Sequence, residues 1–521
     1  MSTVPEAAGL SPASAPDSAQ PGNRLRRLAG TLAVSLATFM SVLDISIANV
    51  SLPAIAGDLS ISPTQGTWII TSFGVANAIA LPLTGWLVKR LGMVRLFTAS
   101  VALFTLMSLL CAMAASIEAL VTFRVLQGLM AGPMIPLCQA LLLRIYPPQS
   151  RGSALTILAL TTLTAPVVGP LLGGWLTDNW SWHWIFLVNV PAGVVCALVA
   201  WRSFRHEESP TQPAPVDVVG LGLLVVWVGS LQLLLDLGRH HDWFGSGLIV
   251  TLALVAAVFL AAFLIWEGTH EHPIIDLSLF RVRNFWVGSL TMSLAYALFL
   301  GNLVLLPLWL QQYMGYTATM AGVVLAPVGL LALAVAPIAG RAVASRDPRW
   351  LVSVAFVVFA AALWMRSRFN TDSDLQSMMF PSLVQGIGNA LFFVPLLAII
   401  LFGLPAERIA SASGVSNFLR FTAGAFGASL MTTAWDWRAS FHRSRLVESI
   451  VSGSLPLREM QDTFALAALT PGQRMAAIDR MIEQQAHTLA VNDLFYLSAL
   501  GFIALLGVLW VARWDPALKH H

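Results

Sequence analysis

LAGTLAVSLATFMSVLDISIANV, residues 28–50, holds twenty-three residues and a single charge, Asp44. Wound as a helix at 1.5 Å per residue, it spans about 34 Å, enough to cross a hydrocarbon layer of roughly 30 Å. Comparable stretches recur at 68–88, 95–115, 118–143, 152–176, 184–201, 217–237, 246–267, 285–312, 318–342, 350–367, 377–402, 409–435 and 492–513. Fourteen such segments describe an all-α polytopic membrane protein, since a helix satisfies its own backbone polar groups in lipid. Composition agrees. Of 521 residues, 57% are hydrophobic and 11% charged, against about 25% charged in a soluble domain.

An even number of spans leaves both termini on one side. That side carries eighteen of the twenty-nine Lys and Arg residues. The other side carries nine: Arg239, Arg366 and Arg368 in short loops, and six in the long segment 436–491. Basic residues in short loops mark the cytoplasmic face, so both termini are expected in the cytoplasm. Residues 1–27 read as a disordered cytoplasmic tail, poor in large apolar residues and lacking the layout of a signal peptide. Residues 516–521 read as a second short tail. Segment 436–491 reads as an outer loop with helical stretches, serving either as a solvated cap or as a docking surface. Cys111, Cys138 and Cys196 lie inside apolar segments and read as small buried hydrophobes. The net charge of +3 points to no nucleic-acid partner.

The chain repeats itself at an offset close to 257. Gln127-Gly128 and Pro136-Leu137 are echoed by Gln385-Gly386 and Pro395-Leu396, Pro148 and Arg151 by Pro405 and Arg408, Gly85 by Gly340, and Gly169 by Gly424. Ordered matches at one offset imply two homologous six-helix bundles, 28–205 and 285–515, with two additional helices and their linkers in 206–284. Pseudo-symmetric halves suit a carrier that rocks around a site near the midplane.

Ionisable residues inside spans are costly, which makes each a functional candidate. Asp44 lies about 24 Å into span one, and Arg124 roughly 9 Å into span four from the opposite end, so both fall in the outer half. They are placed to meet, either as a static brace or as a proton-coupling pair. Arg420 lies mid-span in the thirteenth segment, where it either braces the bundle, meets an acid or anchors an anionic substrate. Asn49, Gln127, Gln139 and Asn417 join it as candidates for lining or gating a substrate cavity. Span five carries Pro166, Gly169, Pro170, Gly173 and Gly174, a pattern for a kinked, closely packed helix.

Four runs carry a resemblance. Met40 to Pro53, centred on Leu43-Asp44-Ile45, resembles the span-one signature of the fourteen-span drug:proton antiporters of the major facilitator superfamily. Gly85-Trp86-Leu87-Val88-Lys89-Arg90-Leu91-Gly92 is similar to the superfamily's cytoplasmic loop motif, with Lys89 where an acidic residue is usual. Arg124-Val125-Leu126-Gln127-Gly128 resembles the span-four motif. Gly169-Pro170-Leu171-Leu172-Gly173-Gly174 resembles the span-five antiporter motif, with Ala165 in place of its leading Gly. Trp184 through Asn189 to Pro191, Asp276 to Phe280 and Gly315 to Thr319 bring the resemblance nearest to the EmrB-like branch. The resemblance implies proton-coupled efflux of lipophilic drugs, dyes, uncouplers, bile salts or fatty acids. It makes Asp44 the proton carrier and Arg124 its partner. It further implies no cofactor beyond the coupling proton, with a periplasmic membrane-fusion adaptor and an outer-membrane channel as partners. An importer on the same fold and a non-transporting sensor are the rivals. No HExxH, GxSxG or phosphate-binding Gly loop points to an enzyme.

Overall fold

The computed structural model describes residues 21–61, 66, 68–212, 215, 217–238, 243–271, 273–449 and 470–514. Its helices are α1 (Pro21–Asp58), α2 (Trp68–Leu91), α3 (Met93–Ala112), α4 (Ile117–Ala131), α5 (Met134–Ile145), α6 (Pro148–Asn179), the single turn α7 (Trp184–Leu187), α8 (Asn189–Phe204), α9 (Val218–Leu237), α10 (Gly247–Thr269), α11 (Arg283–Gln312), α12 (Ala318–Ser345), α13 (Pro348–Arg366), α14 (Leu375–Ile400), α15 (Ala406–Ser449) and α16 (Pro471–Leu509). Counting α4–α5 and α7–α8 as one rod each, there are fourteen rods among the described residues. Eleven are long and apolar enough to cross a membrane. The other three, α6, α12 and α15, lie where the two halves meet. Polar residues at the connections start the helices by accepting free backbone N–H groups: Ser116 for α4, Asp217 for α9, Thr317 for α12 and Asp374 for α14.

Each half is assembled by the same pairings. In the first, α1 packs on α6 and α8, α3 on α4 and α8, and α2 on α4. In the second, α11 packs on α15 and α16, α13 on α14 and α16, and α12 on α14. The repeated Gln-Gly steps fall at matching crossings. A Cβ on Gly128 would strike the Phe73 carbonyl oxygen of α2, and one on Gly386 the Val328 carbonyl oxygen of α12. Only Gly lets those backbones approach so closely. The halves meet along two symmetry-related seams, α6 against α12 and α2 against α15.

The inserted pair lies over the second seam. Trp227 of α9 meets Phe418 of α15 edge-on at 5.6 Å, and the Ser429 hydroxyl donates to the Leu235 carbonyl at 3.0 Å. Gly229 of α9 faces Val75 of α2. Helix α9 therefore touches both halves, while α10 packs chiefly on α9 and leaves most of its apolar surface outward.

Four expectations need adjusting. The fourth span is two helices, broken at Gly132-Pro133, because Pro133 interrupts the hydrogen-bond ladder. Segment 436–491 is not a separate loop at its edges: α15 runs on to Ser449 and α16 starts at Pro471, with 450–469 outside the described residues. Arg366, expected in a short outer loop, is fully buried and donates to the Ser382 hydroxyl at 3.0 Å. The tail expected over 1–27 gives way to helix at Pro21, and Arg26 ties that helix to the Ser203 carbonyl at 2.8 Å. Residues 1–20 and 515–521 lie outside the described residues.

Candidate functional site

Asp44 and Arg124 are in contact, both fully buried inside the first half. One Asp44 oxygen, Oδ2, accepts from Arg124 Nη1. The other, Oδ1, accepts from Asn189 Nδ2 at 2.9 Å and from Gln127 Nε2 at 3.1 Å. Arg124 also donates to Gln127 Oε1 at 2.8 Å and through Nε to the Ile69 carbonyl at 3.0 Å. Its guanidinium lies over Phe73, 4.3 Å from the ring centroid, and 5.6 Å from that of Phe186. Ser108 fixes Asn189 at 3.1 Å and itself donates to the Phe186 carbonyl. Helices α1, α2, α3, α4 and α8 thus close one charge-neutral network. Losing one charge of such a buried pair costs about 3–5 kcal/mol, because the other is left uncompensated.

A second polar group spans the halves. Asn417 of α15 donates to Gln139 Oε1 of α5 at 2.9 Å, and Arg420 Nη2 donates to Asn417 Oδ1 at 2.7 Å. These three, with Ile135, Leu158 and Phe393, line a narrow cavity of about 40 Å³, room for water-sized molecules. A neighbouring cavity of about 30 Å³ shares Thr162 and Phe393 and is lined by Tyr296, Gln385 and Asn389. Arg420 is 4% exposed. Its guanidinium sits among Phe421, Tyr296 and Phe393 at 4.3, 4.9 and 5.3 Å.

Toward the face that carries the start of α1, the halves are pressed together. A Cβ on Gly85 of α2 would collide with Ser411 of α15, and Val394, Leu397 and Ala410 are buried in the core of the first half. Arg408 at the head of α15 pairs with Asp276 at 2.7 Å and bonds Ser278 at 2.6 Å, so the α10–α11 linker is tied to the same seam. Lys89 is exposed, Arg90 lies over Trp86 at 5.5 Å, and Gly92 takes φ 87° to turn the chain into α3. The carboxylate there comes from the linker instead. Glu208 accepts from the backbone N–H groups of Val94 and Arg95 at 2.9 and 3.0 Å, where the helix end favours negative charge.

The remaining candidates are placed as follows. Gln127 belongs to the Asp44 network and not to the cavity. Asn49 is exposed and bonds back to its own helix at Ile45. In α6, Gly169 faces Ser46 and Gly173 faces Ile47, so the small-residue stripe presses on α1 two and three residues beyond Asp44. Gly174 is half-buried, and α6 continues as one helix through Pro166 and Pro170. Asn189, Ser108 and Glu208 were not anticipated. A lone Asn preceding Pro191 in span six was the available signal for the first.

Residues 34–428 match the Major Facilitator Superfamily. The chain is 49% identical to the multidrug export protein EmrB of Haemophilus influenzae, over 94% of this chain and 96% of that one. It is 46% identical to EmrB of Escherichia coli K12, covering 93% and 94%. It is 44% identical to the fatty acid resistance protein FarB of Neisseria gonorrhoeae, covering 93% and 95%. Among solved structures, the human organic anion transporter MFSD10 superposes with a TM-score of 0.56 at 15% identity, over 93% of this chain and all of that one, which speaks to the fold alone. The buried charges on a two-fold scaffold and these similarities agree: the chain belongs to the major facilitator superfamily of membrane transporters, among the EmrB-like multidrug export proteins.

Proposed function

We propose that this protein exports hydrophobic and amphipathic compounds across the bacterial inner membrane while protons return inward, with both termini in the cytoplasm. The observation that carries this reading is the Asp44 network: a fully buried carboxylate whose cation has other partners to fall back on. When a proton loads Oδ2, Arg124 keeps the Ile69 carbonyl and Gln127 Oε1 as acceptors, but its charge is left uncompensated, and that imbalance drives the pair to part. Asp44 is then free to shift α1, and Ser46 and Ile47 bear on Gly169 and Gly173 of α6. Helix α6 is half of the seam with α12. Protonation is thereby linked to the contact that must open and close in alternating access. Substrate enters from the cytoplasm or inner leaflet into an enlarged form of the Gln139–Asn417–Arg420 cavity.

The outer ends of α15 and α16 form a projecting pair braced by Arg438–Asp493 and Arg443–Asp479. Trp437 and Met475 are exposed on it at 68% and 65%. This is where the periplasmic adaptor of a tripartite pump, itself joined to an outer-membrane channel, would dock.

The test is transport of a neutral lipophilic dye in proteoliposomes under an imposed pH gradient. Wild type should move dye against its gradient, and Asp44→Asn should lose gradient-driven transport while still binding dye. Transport that ignores the gradient would make the protein a facilitator and sink the proton-coupling reading.

A further inference from the structure

The second half buries a cation for which the described residues supply no counter-ion. Arg420 pairs with no carboxylate, its polar partner is the neutral Asn417, and its other neighbours are three aromatic rings. The sequence explains why. Helices α11, α12 and α14 contain no Asp or Glu, and α15 has none between Glu407 and Asp436. On the opposing half, α5 and the body of α6 contain none before Asp178. Ring faces compensate a guanidinium partially, whereas removal from water without a partner is a large penalty. Arg420 also borders the cavity between the halves. The adjoining cavity is bordered by Gln385 and Asn389, whose Oε1 and Oδ1 atoms are buried without hydrogen-bond partners. Three polar side chains with unmet demand therefore converge on one apolar, aromatic space.

We propose that Arg420 is the specificity-determining residue of the carrier, supplying the counter-ion for amphipathic monoanions. The anionic head of the ligand pairs with the guanidinium in a charge-assisted contact. Its polar substituents meet the Gln385 and Asn389 amides, which can accept or donate. Its apolar body lies along Tyr296, Phe299 and Leu303. This deepens the export reading and rests on it for the direction of transport, but binding stands apart from coupling. Asp44 lies in a closed network within the first half and makes no contact with Arg420's partners.

The experiment is a fluorescence titration of the full chain in nanodiscs at neutral pH, with empty nanodiscs subtracted. The probes are dansylated undecanoic acid and its primary amide. Wild type should bind the acid about thirtyfold more tightly than the amide, the size of one charge-assisted bond. Arg420→Gln should lose that factor for the acid and change the amide less than about twofold, while Arg420→Lys should keep most of it. Equal binding of acid and amide by wild type would overturn the proposal without any variant, as would equal losses for both probes in a folded Arg420→Gln protein. Acid selectivity with no proton-driven transport would uphold the role of Arg420 and overturn the coupling reading instead.

Discussion

The two halves share one packing scheme and hold their buried arginines in opposite ways. In the first, Arg124 meets Asp44, Gln127 and a backbone carbonyl, and the network is neutral. In the second, Arg420 meets one amide oxygen and three rings, and Arg366, buried away from the cavity lining, meets the Ser382 hydroxyl. The repeat sharpens the contrast. At the offset linking Gln127 to Gln385, Arg124 corresponds to Ser382, and at the offset linking Gly169 to Gly424, Arg420 corresponds to Ala165. Neither charge has a charged counterpart. A common scaffold thus carries a charge-balanced pair, suited to holding or releasing a proton, and a cation with no carboxylate partner among the described residues, suited to receiving a charge from outside the chain.

That comparison is broken most directly by stability. Arg124→Gln should cost about 3–5 kcal/mol, because Asp44 is left buried and unpaired. Asp44→Asn on that background should restore most of the loss. Arg420→Gln removes a charge with nothing to strand, so its melting temperature should match or exceed wild type. Thermal melts of the purified proteins read all three, and equal losses for the two arginine variants would erase the distinction. The shared scaffold predicts a smaller effect: Gly128→Ala and Gly386→Ala should each cost about 1–3 kcal/mol by overpacking a helix crossing. A loss confined to one of them would show that the halves are not built alike at that crossing. Smallest should be Arg408→Gln, below about 1 kcal/mol, because both members of its pair with Asp276 are about one-third exposed and solvent screens them.

Much of the fold could be read directly. The apolar runs, the offset repeat and the excess of Arg and Lys on one side follow from local composition, and the helices fall on the expected segments. Where the reading slipped, a non-local contact was responsible. Arg366 looks like a loop charge until Ser382 of the neighbouring helix is found beside it. Lys89 looks like a missing acid until Glu208, more than a hundred residues later, is found on the next helix end.

The sequence by itself determined the membrane-spanning class, the two-fold plan, and the presence of Asp44, Arg124 and Arg420 at depths where charge is costly. Those are properties of single segments, set by hydrophobic length and by residue type. Only the tertiary structure decided which charges are neutralised, that Asn189 and Ser108 complete the Asp44 network, and that α9 covers the seam between the halves. Those depend on which helix faces which. Helices surrounded by lipid as apolar as themselves are sorted by close packing and specific polar contacts, not by their hydrophobicity.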